Sequence, residues 1–259
     1  MRIVFLGNNW LGSQILKWLC AQGEQIAACV MHPPERCKYG EEIREALRGK
    51  DCLLFQAGQL RDPEVLAAIK SSRPDLGVSV LFGYILRTDF LNMFPAGCIN
   101  LHPALLPFNR GAYPNVWSIV EGTPAGATLH YIDAGVDTGD IIGQKQVVVE
   151  PVDTGASLYR KLEQAALELF CQSWPLIREG RAPRLPQPGS AGSFHRVRDV
   201  ENIDEIHLDR TYTGKELLDI LRARTFPPHR GAYFHVNSRR VFLQVHLEYE
   251  DPSGEGPHA

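Results

Sequence analysis

The sequence predicts an α/β fold built on a mostly parallel sheet. Three observations carry that expectation. Apolar, β-branched runs such as "RIVFL" (2–6), "IAACVM" (26–31) and "DLGVSVLF" (75–82) recur through the first 150 residues. Segments with helical spacing of apolar residues lie between them. The runs have no polar face, as expected of strands buried on both sides of a helix-covered sheet.

The elements follow in order. After the strand at 2–6, "SQILKWLCAQ" (13–22) has the apolar spacing of an amphipathic helix. The strand at 26–31 leads into a polar stretch with a helix over 41–49, then a short strand, "CLLF" (52–55). A helix over 62–72 starts with Asp62 as N-cap and Pro63 at its first position, where the missing N–H costs nothing. Strands at 75–82 and 97–102 come next, and the whole reads as a Rossmann-like sheet. "ATLHYID" (127–133) and "IIGQKQVVVE" (141–150) have no helix between them and read as a pair added at the sheet edge.

A long helix is expected over 157–177, then "RAPRLPQPGSAGS" (181–193), whose Pro, Gly and Ser mark a linker or irregular crossing. A small C-terminal region completes the chain, with a helix over 214–224 and a β-hairpin of 232–236 and 240–250 turning at Asn237 and Ser238. The tail, 251–259, is expected to fray. Two units follow: a catalytic domain over 1–180, and a linker, helix and hairpin over 181–259 for nucleotide contact and dimerisation. The sequence contains no internal repeat.

Composition removes several classes. A net charge of −3 gives no support for broad nucleic-acid or membrane binding. The most apolar stretch, "VSVLFGYIL", is far shorter than the roughly 20 residues that span a bilayer. The first residues carry no signal-peptide pattern. Cys20, Cys29, Cys37, Cys52, Cys98 and Cys171 show neither zinc-like nor CxxC spacing, so they read as free thiols of a reducing compartment. The expectation is a cytoplasmic protein with no metal.

Two stretches carry chemistry. In "CINLHPALLPFNRG" (98–111), Asn100 and His102 share one face of a strand while Ile99 and Leu101 bury the other way. They sit at the strand's C-terminal end, where open α/β sheets bind ligands. Pro103 ends the ladder behind them. The alternative is a pair of core polar residues satisfied by backbone groups. In "HYIDAGVDTGDII" (130–142), Asp133, Asp137 and Asp140 alternate with Gly135 and Gly139. The order is not that of an EF-hand. The Asp137-Thr138-Gly139 tripeptide matches an aspartic protease, but it occurs once and lacks the partner of a dyad. The remaining reading is an acid that orients a histidine, and His102 is available.

Together, "NLHPALLPFNRG" and "GATLHYIDAGVDTGDII" resemble the folate-dependent formyltransferase family, which pairs Asn-x-His and a Leu-Leu-Pro loop with a later D-x-G-x-D-x-G loop. The resemblance covers about residues 1–180. One departure is Ala104, where the usual loop has serine, so any role of that hydroxyl is absent. The resemblance implies that Asn100, His102 and Asp137 form the catalytic trio, with N10-formyltetrahydrofolate as co-substrate. Asn100 can donate to a tetrahedral oxyanion, His102 can move the proton, and Asp137 can orient the imidazole. By the same resemblance the pterin lies between Phe82, Gly83, Tyr84 and Leu86 on one side and Gly135 to Asp140 on the other. The plain alternative for "FGYIL" is strand-end packing.

The acceptor is read from the rest. Residues 181–259 hold eleven Lys and Arg against eleven Asp and Glu, which argues against a tRNA acceptor. "RARTFPPHRGAYF" (222–234), with "FNRGAYPNVWSIVEG" (108–122) and "NNWLG" (8–12), resembles the sugar-nucleotide N-formyltransferases, which act on dTDP-linked 3- or 4-amino-dideoxyhexoses. That resemblance implies a nucleotide-linked amino sugar as partner. The residues considered for its contact are Asn9, Trp10, Arg87, Asn109, Arg110, Arg224, Phe226 and Tyr233. A solvated helix end with an ordinary hairpin is the alternative for 222–234, and packing the alternative for Trp10. Gly7 to Gly12 lacks the third spaced glycine of a dinucleotide fingerprint.

Other acceptors in the family are glycinamide ribonucleotide and methionyl-tRNA. A formyltetrahydrofolate hydrolase would carry an extra N-terminal domain, for which a first strand at residue 2 leaves no room. A non-catalytic binding module would not need the trio. The hairpin alternates Val241, Leu243, Val245 and Leu247, and a two-stranded ribbon is marginal alone, so a homodimer through it is expected.

Overall fold

The computed structural model describes residues 1–188 and 192–250. Residues 189–191 of the expected linker and the tail, 251–259, lie outside the described residues.

A seven-stranded sheet organises the chain. Its strands are β1 (Arg2–Gly7), β2 (Gln25–Met31), β3 (Leu53–Gln56), β4 (Leu76–Val80), β5 (Cys98–His102), β7 (Ala125–Tyr131) and β8 (Ile141–Val147), in the order β3-β2-β1-β4-β5-β7-β8. The first five are parallel. β7 pairs antiparallel with β5, and β8 antiparallel with β7. The expected edge pair is therefore present. The strand-order reversal between β1 and β4 makes the crevice at the strands' C-terminal ends the place for a ligand.

Period-2 alternation decides what covers each face. On β1, Ile3 and Phe5 join the core with α1 (Asn9–Ala21) and α6 (Gly155–Arg178). Val4 and Leu6 join the opposite core with α3 (Pro63–Ser71) and α4 (Thr88–Leu91). α2 (Gly40–Ala46) packs on the α1 side. The Asp62 side chain accepts the Glu64 backbone N–H, so the expected cap is present. α6 is longer than its expected span because Thr154 and Ser157 close a reciprocal cap at its start.

Four expectations change. α1 starts at Asn9 rather than Ser13, because Gly12 fits closely against the Gly7 and Val80 backbone. The 181–193 segment does not run free. Leu185 bridges Ile141, and β9 (Phe194–His195) pairs with β6 (Arg110–Gly111). Residues 197–204 form a short 3-10 turn and α7 (Glu201–Asp204), which local propensity did not mark. In the hairpin, β10 (Tyr233–Val236) and β11 (Arg239–Phe242) turn at Asn237 and Ser238 as expected, with both residues at positive φ. β11 stops at Phe242 rather than running to 250, since Val245 N–H leaves the ladder for Thr225 Oγ1. α5 (Pro114–Val120) and α8 (Gly214–Ala223) join this C-terminal layer to α6.

Phe170 on α6 is fully buried and packs edge-on to Trp18 and stacked on Trp174. Phe170→Ala is expected to destabilise the chain by about 3–5 kcal/mol. Urea denaturation checks this, and a loss below about 1 kcal/mol would show that the surrounding ring cluster collapses into the cavity.

Candidate functional site

The strand ends build the site from below. β5 pairs with β7 so that Asn100 lies opposite His130 and His102 opposite Thr128. Ile99, Leu101, Ala127 and Leu129 point into the α1–α6 core, which turns Asn100, His102 and His130 to the other face. The β7–β8 loop then brings Asp137 over them. Asn100 Nδ2 is 3.3 Å from Asp137 Oδ1 and 3.2 Å from His130 Nε2. His102 Nδ1 is 3.6 Å from Asp137 Oδ2, and His130 Nε2 is 3.5 Å from Oδ1. The Gly111 backbone N–H donates to Oδ2 at 2.9 Å.

The hydrogen bonds assign the tautomers. His102 Nε2 faces the Asn109 carbonyl at 3.2 Å, so it carries a proton, and Nδ1 faces the carboxylate. His130 Nδ1 faces the Tyr131 carbonyl at 2.8 Å, and its Nε2 lies within reach of both the Asn100 amide and Asp137 Oδ1. His102 is 6 % exposed, and the ring has little freedom to turn. Burial by itself would raise the Asp137 pKa. The His102 charge, the His130 bond and charge, and the Gly111 N–H outweigh it and hold the carboxyl well below the usual carboxylate range. Asp137 is thus a fixed anion beside two imidazoles.

The three acids of the loop part company. Asp133 ties the loop, accepting from Gly135 N–H and from Thr138 Oγ1 at 2.6 Å. Asp137 enters the site with a left-handed backbone. Asp140 faces Arg184 at 3.9 Å, outside the lining of the cavity over the trio. Gln187 of the linker holds the loop from outside, donating to the Asp137 and Gly139 carbonyls at 2.9 and 2.8 Å.

A cavity of about 470 Å³ opens over the trio. Phe82, Gly83, Tyr84 and Leu86 line one wall, Gly135 and Val136 another, and Phe194 to Val197, just past the linker, close the mouth. Its size suits a small organic ligand, and its walls are mostly apolar with a few polar groups converging at the base. Gly83 has a left-handed backbone and open space at its Cα, so a flat ring can approach it. His32 props this wall: its Nε2 bonds the Phe82 carbonyl, and its ring meets Phe82 and Tyr84 edge-on.

A second cavity, of about 730 Å³, adjoins the first. Asn9, Trp10, Arg224 and Phe226 of the expected acceptor contacts line it. Tyr39, Tyr113, Lys38, Arg160, Tyr159 and Glu163 line it as well. Tyr39 and Tyr113 both have left-handed backbones, and the Lys38 N–H is pinned to Asn8 Oδ1 at 2.8 Å. Burial raises the Glu163 pKa and pushes the neighbouring Tyr159 hydroxyl up.

Four expected acceptor residues fall elsewhere. Asn109 is fully buried; Ser118, Thr123 and Ser193 saturate its amide, so it supports the loop that carries the carbonyl facing His102. Arg110 turns to Gln187 at 2.9 Å. Arg87 stands in solvent beside Asp89. Tyr233 packs in the hairpin under Arg240. Arg224 lines the second cavity, but its guanidinium is paired with Asp204. His130, Lys38, Arg160 and Gln187 escaped the sequence reading. Alternation on β7 places His130 on the Asn100 face and was a legible signal. The other three reach the site by tertiary contact alone.

The family model described as "Formyl transferase" matches residues 1–173, and "N-formyltransferase dimerization C-terminal domain" matches residues 199–249. A 4-N formyltransferase from Francisella tularensis is similar at a TM-score of 0.81 and 29 % identity, over 96 % of this chain and 98 % of that one. The formyltransferase PseJ from Anoxybacillus kamchatkensis, solved with UDP-4,6-dideoxy-4-formamido-L-AltNAc and tetrahydrofolate, is similar at a TM-score of 0.55 and 36 % identity, over 68 % of this chain and 89 % of that one. The methionyl-tRNA formyltransferase of Syntrophus aciditrophicus (strain SB) is 30 % identical over 98 % of this chain and 82 % of its own length. The dTDP-4-amino-4,6-dideoxyglucose formyltransferase of Mycobacterium bovis (strain ATCC BAA-935 / AF2122/97) is 35 % identical over 66 % of this chain and 76 % of its own length.

The depressed Asp137 pKa has a measurable consequence. Between that value and the ordinary carboxylate value of about 4, the unfolded chain binds a proton that the folded chain does not, so stability rises with pH through this window. The contribution is complete above about pH 4 and is lost as pH falls through the folded value. Asp137→Asn is therefore expected to flatten the acid limb of Tm against pH. Parallel curves for the two proteins would refute this.

Proposed function

The chain belongs to the formyl transferase family, and from that premise we propose that it moves the formyl group of N10-formyltetrahydrofolate to the amine of a nucleotide-linked amino-dideoxysugar. The observation that carries the acceptor is the second cavity. Its aromatics, Trp10, Tyr39, Tyr113 and Phe226, suit a base and a sugar face. Lys38 and Arg160 suit a diphosphate, and the cavity adjoins the one that holds Asn100 and His102. The dTDP-4-amino-4,6-dideoxyglucose formyltransferase and the PseJ complex with its formamido sugar nucleotide support the same reading.

The folate supplies the formyl group, and its pterin fits the cavity between Phe82–Leu86 and the Gly135–Asp137 loop. Every other part falls to side chains. Asn100 keeps one amide N–H on Asp137 and, with His130 beside it, presents the other to the formyl oxygen as negative charge develops there. His102 removes a proton from the attacking amine and returns it to the departing N10. Asp137 pairs with the imidazolium in between, and His130 keeps the Asn100 amide turned toward the reacting carbon. One C–N bond forms, one breaks, and the proton passes from amine to N10.

The relative that acts on methionyl-tRNA makes that acceptor the second reading. The zero net charge of residues 181–259 opposes it, since a tRNA contact draws on clustered Lys and Arg. We also propose a homodimer through the hairpin, where Val236 and Val241 are 44 % and 40 % exposed, consistent with the family model over that region. Among the described residues no helix is long and apolar enough to cross a membrane, and no side-chain group suits a metal ion.

The test is amine dependence. Purified protein with N10-formyltetrahydrofolate is given dTDP-3-amino or dTDP-4-amino dideoxyhexoses, glycinamide ribonucleotide, methionyl-tRNA or no amine. Tetrahydrofolate release with an amino sugar alone is expected; release in every tube indicates a hydrolase instead. Asn100→Ala is expected to lose about 10²–10³ in rate, and His102→Ala and Asp137→Ala about 10²–10⁴, with folding intact. Near-normal turnover of the His102 variant rejects the assigned roles. Sedimentation at micromolar concentration is expected to show a dimer, and Val241→Asp to shift it toward monomer.

A further inference from the structure

Three independent features meet at Asn9. Among the described residues it alone lines both cavities. Its φ is +64°, a left-handed backbone that costs a non-glycine residue energy and concentrates at functional positions. Its Oδ1 is buried and has no hydrogen-bond partner, although such acceptors are nearly always satisfied. Turn residues such as Asn237 share the left-handed backbone, but among the described residues Asn9 alone combines it with an unpartnered buried acceptor.

The neighbours fix how the amide sits. The Asn9 backbone N–H donates to the Lys38 carbonyl at 3.2 Å, which anchors the main chain. The Tyr159 hydroxyl lies between the Asn9 amide and the Glu163 carboxylate. A Tyr159 hydroxyl that gives its proton to Glu163 can only accept from Asn9, through Nδ2, and Oδ1 is left as the free acceptor between the two cavities.

We infer that Asn9 positions the acceptor amine: Oδ1 accepts one N–H of the incoming amine where the two cavities meet, and directs the nitrogen lone pair at the formyl carbon held beside Asn100 and His102. This rests on the reading of formyl transfer to a sugar amine. An amine turned by its N–H toward Oδ1 keeps a second N–H for His102 and one lone pair for attack. Water entering the same point can also attack, but it lacks the rest of the sugar nucleotide to hold it there. Asn9 therefore separates transfer from hydrolysis as well as raising the rate.

The sharp variant is Asn9→Gly. Glycine adopts φ near +64° without strain and keeps the N–H that meets Lys38, so only the amide is lost. The expected result is a Tm at or above that of the parent and a KM for the folate within about twofold. The kcat for formyl transfer should fall about 10- to 100-fold, and the ratio of formate to formylated sugar should rise. Asn9→Asp retains an accepting oxygen and is expected to recover at least part of the transfer rate. Unchanged kcat and product ratio in Asn9→Gly overturn the inference. So does an Asn9→Gly protein that loses folate affinity and Tm together, which would mark the side chain as structural. If the parent protein formylates glycinamide ribonucleotide or methionyl-tRNA and no amino sugar, the acceptor reading fails by itself. The Asn9 variants are then assayed with that amine, and an unchanged kcat there overturns the positioning role too.

Discussion

The site depends on one buried anion. Asp137 sits nine-tenths out of water, and an isolated carboxylate there would take up a proton or leave. The chain meets it with the Asn100 amide, the Gly111 N–H and two imidazoles. The donors come from three stretches, with Asn100 and His102 sharing one strand, so ionising one carboxyl draws β5, β7 and the segment after the Leu106-Pro107 loop into a single arrangement. The same constraint explains why the loop accepts a left-handed Asp137. Its carbonyl is held by Gln187, and Asp133 closes the turn behind it.

Support extends outward in layers that have no chemistry of their own. Asn109 is the clearest case. Its side chain is saturated by Ser118, Thr123 and Ser193, which holds its backbone carbonyl where His102 Nε2 finds it. Thr128 does the same for the apolar loop, donating to the Ala104 carbonyl at 2.7 Å and accepting the Leu106 N–H. A site held within a fraction of an ångström needs partners behind the reacting groups, because geometry errors of about 1 Å are costly in rate. The linker, which composition marks as loose, belongs to this support. It pairs β9 with β6 and places Phe194 to Val197 at the cavity mouth.

The second cavity shows a different economy of charge. Besides its tyrosines it is lined by Lys38, Arg160, Arg224, Glu163 and His229, and two of the charged ones are already engaged: Arg224 by Asp204, and Glu163 by its burial against Tyr159. Lys38 and Arg160 remain for an anionic ligand. Selectivity then follows from what is left free rather than from the number of arginines. That distinction is invisible in a one-dimensional count of "RARTFPPHRGAYF".

Sequence alone was enough for the alternation of strands and helices, the edge pair, the hairpin turn and the shared face of Asn100 and His102. These depend on periods of 2 and 3.6 and on turn residues, which are local properties of the chain. His130 was equally legible, since β7 alternates as β5 does. The choice among Asp133, Asp137 and Asp140 was not legible in the loop itself, and only the family resemblance named Asp137, because three acids in one loop have the same local chemistry and differ only in what the fold brings opposite them. The same holds for Asn109 and Arg110, which look alike as loop residues until one is packed inside and the other turned to Gln187. Lys38, Arg160 and the junction at Asn9 also belong to tertiary structure. Arg160 lies more than a hundred residues from the other two, and only the packing of α6 against α1 makes them neighbours.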